Sequence, residues 1–260
     1  MGLPFEYRKA TSQNPKLILI YGPPKIGKTP AVLKLDSVIN NNKLLLLDLE
    51  KRAHFFDGPW VEVDDLNHLA KIGSEIVKAG KPYKYICVDT TTRLNEWTDE
   101  YAKLMYLKSS VCKKEYKQNP NALESVLNLP DGAGYYWARL AYGRWLEDIR
   151  SLADTTILLC HVKDKFLVDN NGNTVTSIDV NLTGKLKEIT CSRADAIGYL
   201  YRVTVGVENG KPISQMKINF NAGIDIVCGS TSAHLRGADF DFYPEKNPED
   251  WKKIFVDEGD

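Results

Sequence analysis

Leu17-Ile18-Leu19-Ile20-Tyr21-Gly22-Pro23-Pro24-Lys25-Ile26-Gly27-Lys28-Thr29-Pro30 is the stretch that decides the fold. Five apolar residues in a row read as a buried strand, and residues 22–29 match GxxxxGK[ST] in full. The spacing has a mechanism. Glycine lets the main chain wrap close to a phosphate, and successive N–H groups turn inward as an anion nest. Pro23 and Pro24 carry no N–H and only shape the turn, so the amides of Lys25, Ile26, Gly27, Lys28 and Thr29 must form the cradle. Lys28 is placed to reach the outer phosphates, and the Thr29 hydroxyl to ligate magnesium. Pro30 is tolerated because the first helical turn has no use for its N–H. A helix is predicted over Pro30–Leu35, with its positive end toward the anion. The contacts expected for ATP are thus Gly22, Lys25, Ile26, Gly27, Lys28, Thr29 and Pro30, with Mg2+ beside them. Average residue frequencies put a chance match in a chain this long at about one in a hundred.

Outward from this loop, three more apolar runs read as buried strands: Leu44–Asp48, Tyr85–Asp89 and Thr156–His161. Helix-compatible stretches at Leu66–Ala79, Leu94–Leu107 and Tyr136–Leu152 separate them. Strands alternating with helices predict an α/β fold with a mainly parallel central sheet flanked by helices. After His161 the texture changes. Lys165–Val168 and Thr174–Val180 flank Asn170-Asn171-Gly172-Asn173, a hairpin turn signal. A short helix is expected over Gly184–Cys191, and strands over Gly198–Val207 and Gln215–Asn221 around Asn209-Gly210. The last third therefore reads as antiparallel strands added to a parallel core. The expected organisation is one domain: a nucleotide-binding core at 16–165, a hairpin and C-terminal strands at 166–240, and a tail at 241–260 that frays at Asp257–Asp260.

The strand ends carry the chemistry. Asp89 closes its apolar run, and a carboxylate at the C-terminal end of a parallel strand lies at the edge where ligands bind. It is the expected partner of Thr29 and Mg2+. Thr90 rather than Glu follows it, so a water-activating base must come from elsewhere. Leu44–Leu47 runs into Asp48-Leu49-Glu50, and Glu50 is the expected base, with Glu96 as the fallback. His161 closes the fourth strand and can donate a hydrogen bond without a fixed charge, as a sensor of the terminal phosphate.

Bulk properties set limits. Lys plus Arg equals Asp plus Glu at 34 each, so nucleic-acid binding has no support from whole-chain charge and needs a local surface. Five cysteines without a CxxC pair argue against a disulfide framework or a zinc site. No leader-like stretch and no run of about 20 apolar residues stands in the sequence, so a cytoplasmic protein is expected.

These pieces, in this order, resemble the RecA/RadA recombinase core, and more closely the short phage-encoded AAA-type ATPases linked to single-strand annealing and recombination. Asp48-Leu49-Glu50 matches the acidic run that holds that family's catalytic Glu, Asp89-Thr90 its Walker B end, and His161 its polar sensor. Leu182–Lys187 is similar to the piece that closes the second DNA-binding loop, and Arg193–Arg202 to the strand that follows. The resemblance covers about residues 16–238. It implies ATP hydrolysis with Lys28, Glu50 and His161 as catalytic residues, assembly as a ring or filament, and binding of single-stranded DNA. Lys163, Lys165, Lys185 and Lys187 are the DNA-contacting residues it suggests. Arg236 or Lys217 is the cation it would have a neighbouring copy supply. The segment Tyr101–Tyr136, where Lys103, Lys108, Lys113, Lys114 and Lys117 interleave with Tyr101, Tyr106 and Tyr116, is a second candidate for single strands. The rival reading is an ATP-gated protein-interaction switch with no DNA role. A small-molecule kinase fits less well, because no Arg-rich lid is found.

Overall fold

Both faces of the first strand are covered, which is why its apolar run is unbroken. In the computed structural model, which describes residues 13–39, 43–168, 174–208, 211–223 and 225–257, β1 (Leu17–Gly22) lies in the middle of the sheet. Ile18 and Ile20 point into one core, and Leu17, Leu19 and Tyr21 into the other. Each such side chain gains roughly 1.5–3 kcal/mol on burial, so a strand alternating with polar residues would forfeit half of this gain.

The elements follow as α1 (Lys28–Leu33), β2 (Leu44–Asp48), β3 (Trp60–Glu62), α2 (Leu66–Lys78), β4 (Tyr85–Asp89) and α3 (Thr91–Leu107). Then come α4 (Lys114–Gln118), α5 (Ala133–Arg150), β5 (Thr155–Val168), β6 (Thr174–Val180), α6 (Lys185–Arg193), β7 (Ala196–Glu208) and β8 (Lys211–Asn219), and finally β9 (Gly229–Ser230) and β10 (Asp239–Asp241). The sheet order is β10-β8-β7-β1-β5-β4-β2-β3. From β7 to β3 neighbours run parallel. The pairs β7–β8, β8–β10, β7–β9 and β5–β6 are antiparallel. The α/β fold with antiparallel strands in the last third is therefore as the sequence predicts. The turns expected at 170–173 and at Asn209-Gly210, and the chain end at 258–260, lie outside the described residues.

Local signals set the helices. Asp65 caps α2 by accepting from the His68 amide at 2.8 Å, and Leu69, Ile72 and Ile76 recur at helical spacing on its buried face. Thr90 caps α3, accepting from the Arg93 amide at 3.4 Å. Between α3 and α5 the chain builds a small lobe with its own core of Ala102, Tyr106, Cys112, Leu123, Val126, Leu129 and Ala141.

The structure corrects two expectations. Residues 241–257 are not a tail: Phe242, Trp251, Ile254 and Phe255 are buried in the core beneath α1, and the Trp251 indole donates to the Ala31 carbonyl at 2.8 Å. Tyr106 and Tyr116 are not free stacking platforms, because Tyr106 packs edge-on against both Tyr116 and Trp137 inside the helical lobe.

Candidate active site

Strand register brings the candidates to one edge. Gly22 pairs with His161, Leu159 with Asp89, and Asp89 with Asp48. The phosphate loop, the two acidic strand tips and the histidine thus share the C-terminal edge of the parallel strands, where this architecture binds ligands.

The loop depends on glycine at two points. A Cβ on Gly22 would stand 2.4 Å from the Leu200 carbonyl oxygen of β7. Gly27 has φ +110°, and a Cβ there would come to 3.0 Å from a Glu245 carboxylate oxygen. Arg202, which leaves β7 beside the loop, donates to the Ile26 carbonyl at 3.3 Å. The helix that follows has only six residues and then tightens into a 3-10 turn at Lys34–Ser37. Its dipole is correspondingly small, so the loop amides must do most of the anion holding.

Lys28 is buried, and its ammonium donates to the carbonyls of Gly22 and Pro23 at 3.0 Å each. Burial pulls its pKa down, while Asp89 opposes that shift. A buried ammonium that, among the described residues, two loop carbonyls hold is a cation poised for stronger acceptors, such as phosphate oxygens.

Thr29 Oγ1 donates to Asp89 Oδ2 at 2.5 Å. Burial raises the Asp89 pKa to about 6; the Thr29 bond opposes this, and the nearby Glu50 and Asp48 add to it. The Asp89–Thr90 peptide is cis. The donor set fits magnesium: a hydroxyl and a carboxylate oxygen, both hard ligands, with the carboxylate buried where a divalent cation would relieve its charge. Among the described residues no cluster of three or more His, Cys, Asp or Glu side chains could chelate a metal alone. A cation at Thr29 and Asp89 would therefore share phosphate oxygens.

Glu50 is held from two sides. His161 Nε2 lies 2.9 Å from its Oε1, and the Thr90 hydroxyl donates to the same oxygen at 3.0 Å. The His161 bond is the main reason the Glu50 pKa sits below the usual range, outweighing partial burial; Thr90 and Arg52 add to it. An ionised carboxylate only accepts, so the proton of this pair is on Nε2. Among the described residues, His161 Nδ1 is then a buried ring nitrogen with no partner. Asp48 builds the turn beneath: its carboxylate accepts from the amides of Ala53 at 2.6 Å and Glu50 at 3.2 Å. Glu96, the fallback base, is exposed and paired with Arg93 at 2.6 Å. A cavity of about 360 Å³ joins Glu50, His161, Arg52 and Glu96.

The remaining candidates scatter. Lys163 and Lys185 are exposed, whereas Lys187 is paired with the buried Asp179 at 2.8 Å. The side chain of Lys165 lies outside the described residues. Lys217 pairs with Asp239 at 3.4 Å. The Arg236 guanidinium donates to the Thr231 carbonyl at 3.2 Å. The Thr231 amide in turn binds Asp195, whose carboxylate accepts from the amides of Lys16 and Leu17. Arg236 is thus tied to the end of β1 opposite Gly22. Sequence reasoning missed the bond from Thr90 to Glu50, although its side chain is the natural cap of α3. It also missed Arg202, which meets the loop from 176 residues away and leaves no local signal.

Fold and site together define an α/β protein with a P-loop motif at the C-terminal edge of a mainly parallel sheet. The chain belongs to the AAA domain family, whose model matches residues 14–223. No curated protein matches it. Among solved structures it is similar to a KaiC-like protein from the hyperthermophilic archaeon Pyrococcus horikoshii OT3, at 13% identity and a TM-score of 0.46, covering 88% of this chain and 85% of that one. It is also similar to the RadB recombinase, at 12% identity and a TM-score of 0.42, covering 88% and 87%. No helix among the described residues is long and apolar enough to cross a membrane.

Proposed function

We propose that the protein is a magnesium-dependent ATPase of phage DNA recombination or single-strand annealing, which binds single-stranded DNA as a homo-oligomer in the host cytoplasm. The observation that carries the catalytic part is the meeting of Thr29 with Asp89 on one strand edge while Glu50 stands on the next strand tip. Lys28 exchanges its two carbonyl partners for the β- and γ-phosphates. Thr29 and Asp89 would hold a magnesium ion, which would supply charge neutralisation for the phosphates. Glu50 orients a water and takes its proton as the water oxygen bonds to the γ-phosphorus and the bond to the β–γ bridging oxygen breaks, giving ADP and phosphate. His161 and Thr90 fix the carboxylate. His161 therefore acts through Glu50 and is a positioning residue in this account.

The DNA part is supported by the order of motifs along the chain and by the exposed Lys163 and Lys185 beyond the His161 strand tip. Arg236, tied to the far end of β1, stands away from the chain's own phosphate loop, so as a finger it or Lys217 would act on another copy. A net charge of zero favours the rival reading, an ATP-gated protein switch. ATP hydrolysis measured with and without single-stranded DNA separates the two. Stimulation by DNA supports the recombination reading. Hydrolysis indifferent to DNA supports the switch, and no hydrolysis at all overturns the enzymatic reading.

A further inference from the structure

The outer face of α5 carries arginines that neither the fold nor the active site uses. Arg139 is half-buried and Arg144 exposed, and among the described residues neither has a carboxylate within ion-pair distance. Lys108, at the end of α3, is likewise unpaired. Further along, Arg150 and Arg193 share a single carboxylate, Glu147, at 3.1 and 2.9 Å. Asp148 is the other acid at that end. Glu96 and Asp99 line the same face nearer the active site, so its positive surplus is small and concentrated at the unpaired Arg139, Arg144 and Lys108.

The face is also grooved and aromatic. Three depressions of about 260, 450 and 470 Å³ adjoin along α3 and α5. The first two share Arg139, and the last two share Tyr101 and Arg144. Tyr136 borders the third with 54% of its surface exposed, held edge-on by Trp137 with ring centroids 5.2 Å apart. A packed Trp behind an exposed Tyr gives a ring fixed in orientation yet open on one side.

We infer that this groove, lined by Arg139, Arg144, Lys108 and Tyr136, is where the protein holds single-stranded nucleic acid. The inference rests on the DNA reading above and places the strand along α3 and α5, where Lys185 lines the first depression and Lys163 lines none of the three. Guanidinium groups are weakly hydrated, planar and able to contact phosphate through two N–H groups, so unpaired arginines suit a phosphodiester track better than lysines do. Stacking on an exposed ring needs a base whose face is free, which a single strand offers and a duplex does not. Each depression is about the size of one nucleotide, and neighbouring depressions share lining residues. The groove also reaches the catalytic cavity, because Glu96 lines both the first depression and the one that holds Glu50 and His161. A strand in the groove therefore touches the Arg93–Glu96 pair beside the catalytic base.

The test is fluorescence anisotropy of a labelled oligothymidylate with the full chain over a range of salt, with ATP binding followed in parallel. Replacing both arginines, Arg139→Ala with Arg144→Ala, is expected to weaken binding about ten-fold or more near 100 mM salt. It should lower the log–log salt slope by about 1.4, at about 0.7 for each phosphate no longer neutralised. ATP affinity should not change. A Lys163→Ala protein should lose less. If the double arginine variant does not fold, Arg144→Glu alone carries the test at an exposed side chain, and Tyr136→Ala should weaken binding with the slope unchanged. Wild-type affinity and slope in the arginine variants would overturn the location and leave the DNA reading standing. Absence of any single-strand binding by the wild type would overturn both. Displacement of the oligonucleotide by polyglutamate of equal charge, at equal strength, would overturn the nucleic-acid assignment in favour of an acidic protein partner.

Discussion

The Thr29 hydroxyl donates to Asp89 Oδ2 at 2.5 Å, tying the first turn of α1 to the tip of β4 across 60 residues of chain. Each side of this contact has a second role. Thr29 follows the lysine of the phosphate loop, and Asp89 is a buried carboxylate whose pKa burial lifts from 3.8 to about 6.

A carboxylate with a folded-state pKa above its unfolded value stabilises the fold below the unfolded pKa, and this contribution is lost as pH rises through the folded one. Well above pH 6 the Asp89 charge therefore costs the nucleotide-free protein on the order of 3 kcal/mol. Asp89→Asn keeps an acceptor for Thr29 and removes that charge. It is expected to raise the melting temperature without nucleotide at about pH 8 by a few degrees. It should also abolish the further rise that Mg2+ with ATP gives the wild type. A lower melting temperature in the nucleotide-free variant would contradict this account of Asp89.

The same shift predicts a pH dependence of metal binding. Only the ionised carboxylate can share a cation, so Mg2+-dependent ATP affinity should fall as pH drops through about 6. The Asp89→Asn protein provides the baseline, since it retains the titration of ATP itself. Titration calorimetry from about pH 8 to pH 5 should show the two proteins converging at the acid end, as the Asp89 contribution disappears.

Glu50 and His161 divide along a kinetic line. Glu50→Gln should bind ATP within about three-fold of wild type and turn over about 100-fold more slowly. His161→Ala removes the bond that chiefly keeps the Glu50 pKa low, so the acidic limb of the kcat–pH profile should move to higher pH. A loss of rate in His161→Ala with the limb unmoved would place the histidine on the substrate rather than on Glu50.

Trp251 tests the packing of the C-terminal segment against α1. It is buried, stacks on Phe255 with ring centroids 5.8 Å apart, and bonds to Ala31 just past the phosphate loop. Trp251→Ala should destabilise the protein by about 3–5 kcal/mol in denaturant unfolding. A cost below about 1 kcal/mol, typical of a surface change, would show that the segment is peripheral.

What the sequence revealed follows from how local each signal is. The run from Leu17 to Thr29 places strand, loop and lysine within one short window, and Asp48, Asp89 and His161 each end an apolar run, so the shared sheet edge was legible. The contact of His161 with Glu50 was not, because it depends on two strand tips whose side chains meet only after β4 and β5 are inserted beside β2. Arg202 and Trp251 reach the phosphate loop and α1 from the far end of the chain, and nothing near either residue announces it. Tyr106 and Tyr116 were misread because a Lys/Tyr mixture looks alike on an exposed face and around a small helical core. The arginines of α5 stood out only once no carboxylate among the described residues was found within ion-pair distance of Arg139 or Arg144.

Catalysis at this edge requires a triphosphate lying on the amides of residues 25–29 with Lys28 against its outer phosphates. Calorimetric titration of ATP with Mg2+ into the wild type and into Lys28→Ala tests this directly. The account predicts saturable one-site binding by the wild type and affinity weaker by about 30-fold or more in the variant, the value of one or two charge-assisted hydrogen bonds. Equal affinity in the two proteins would contradict it.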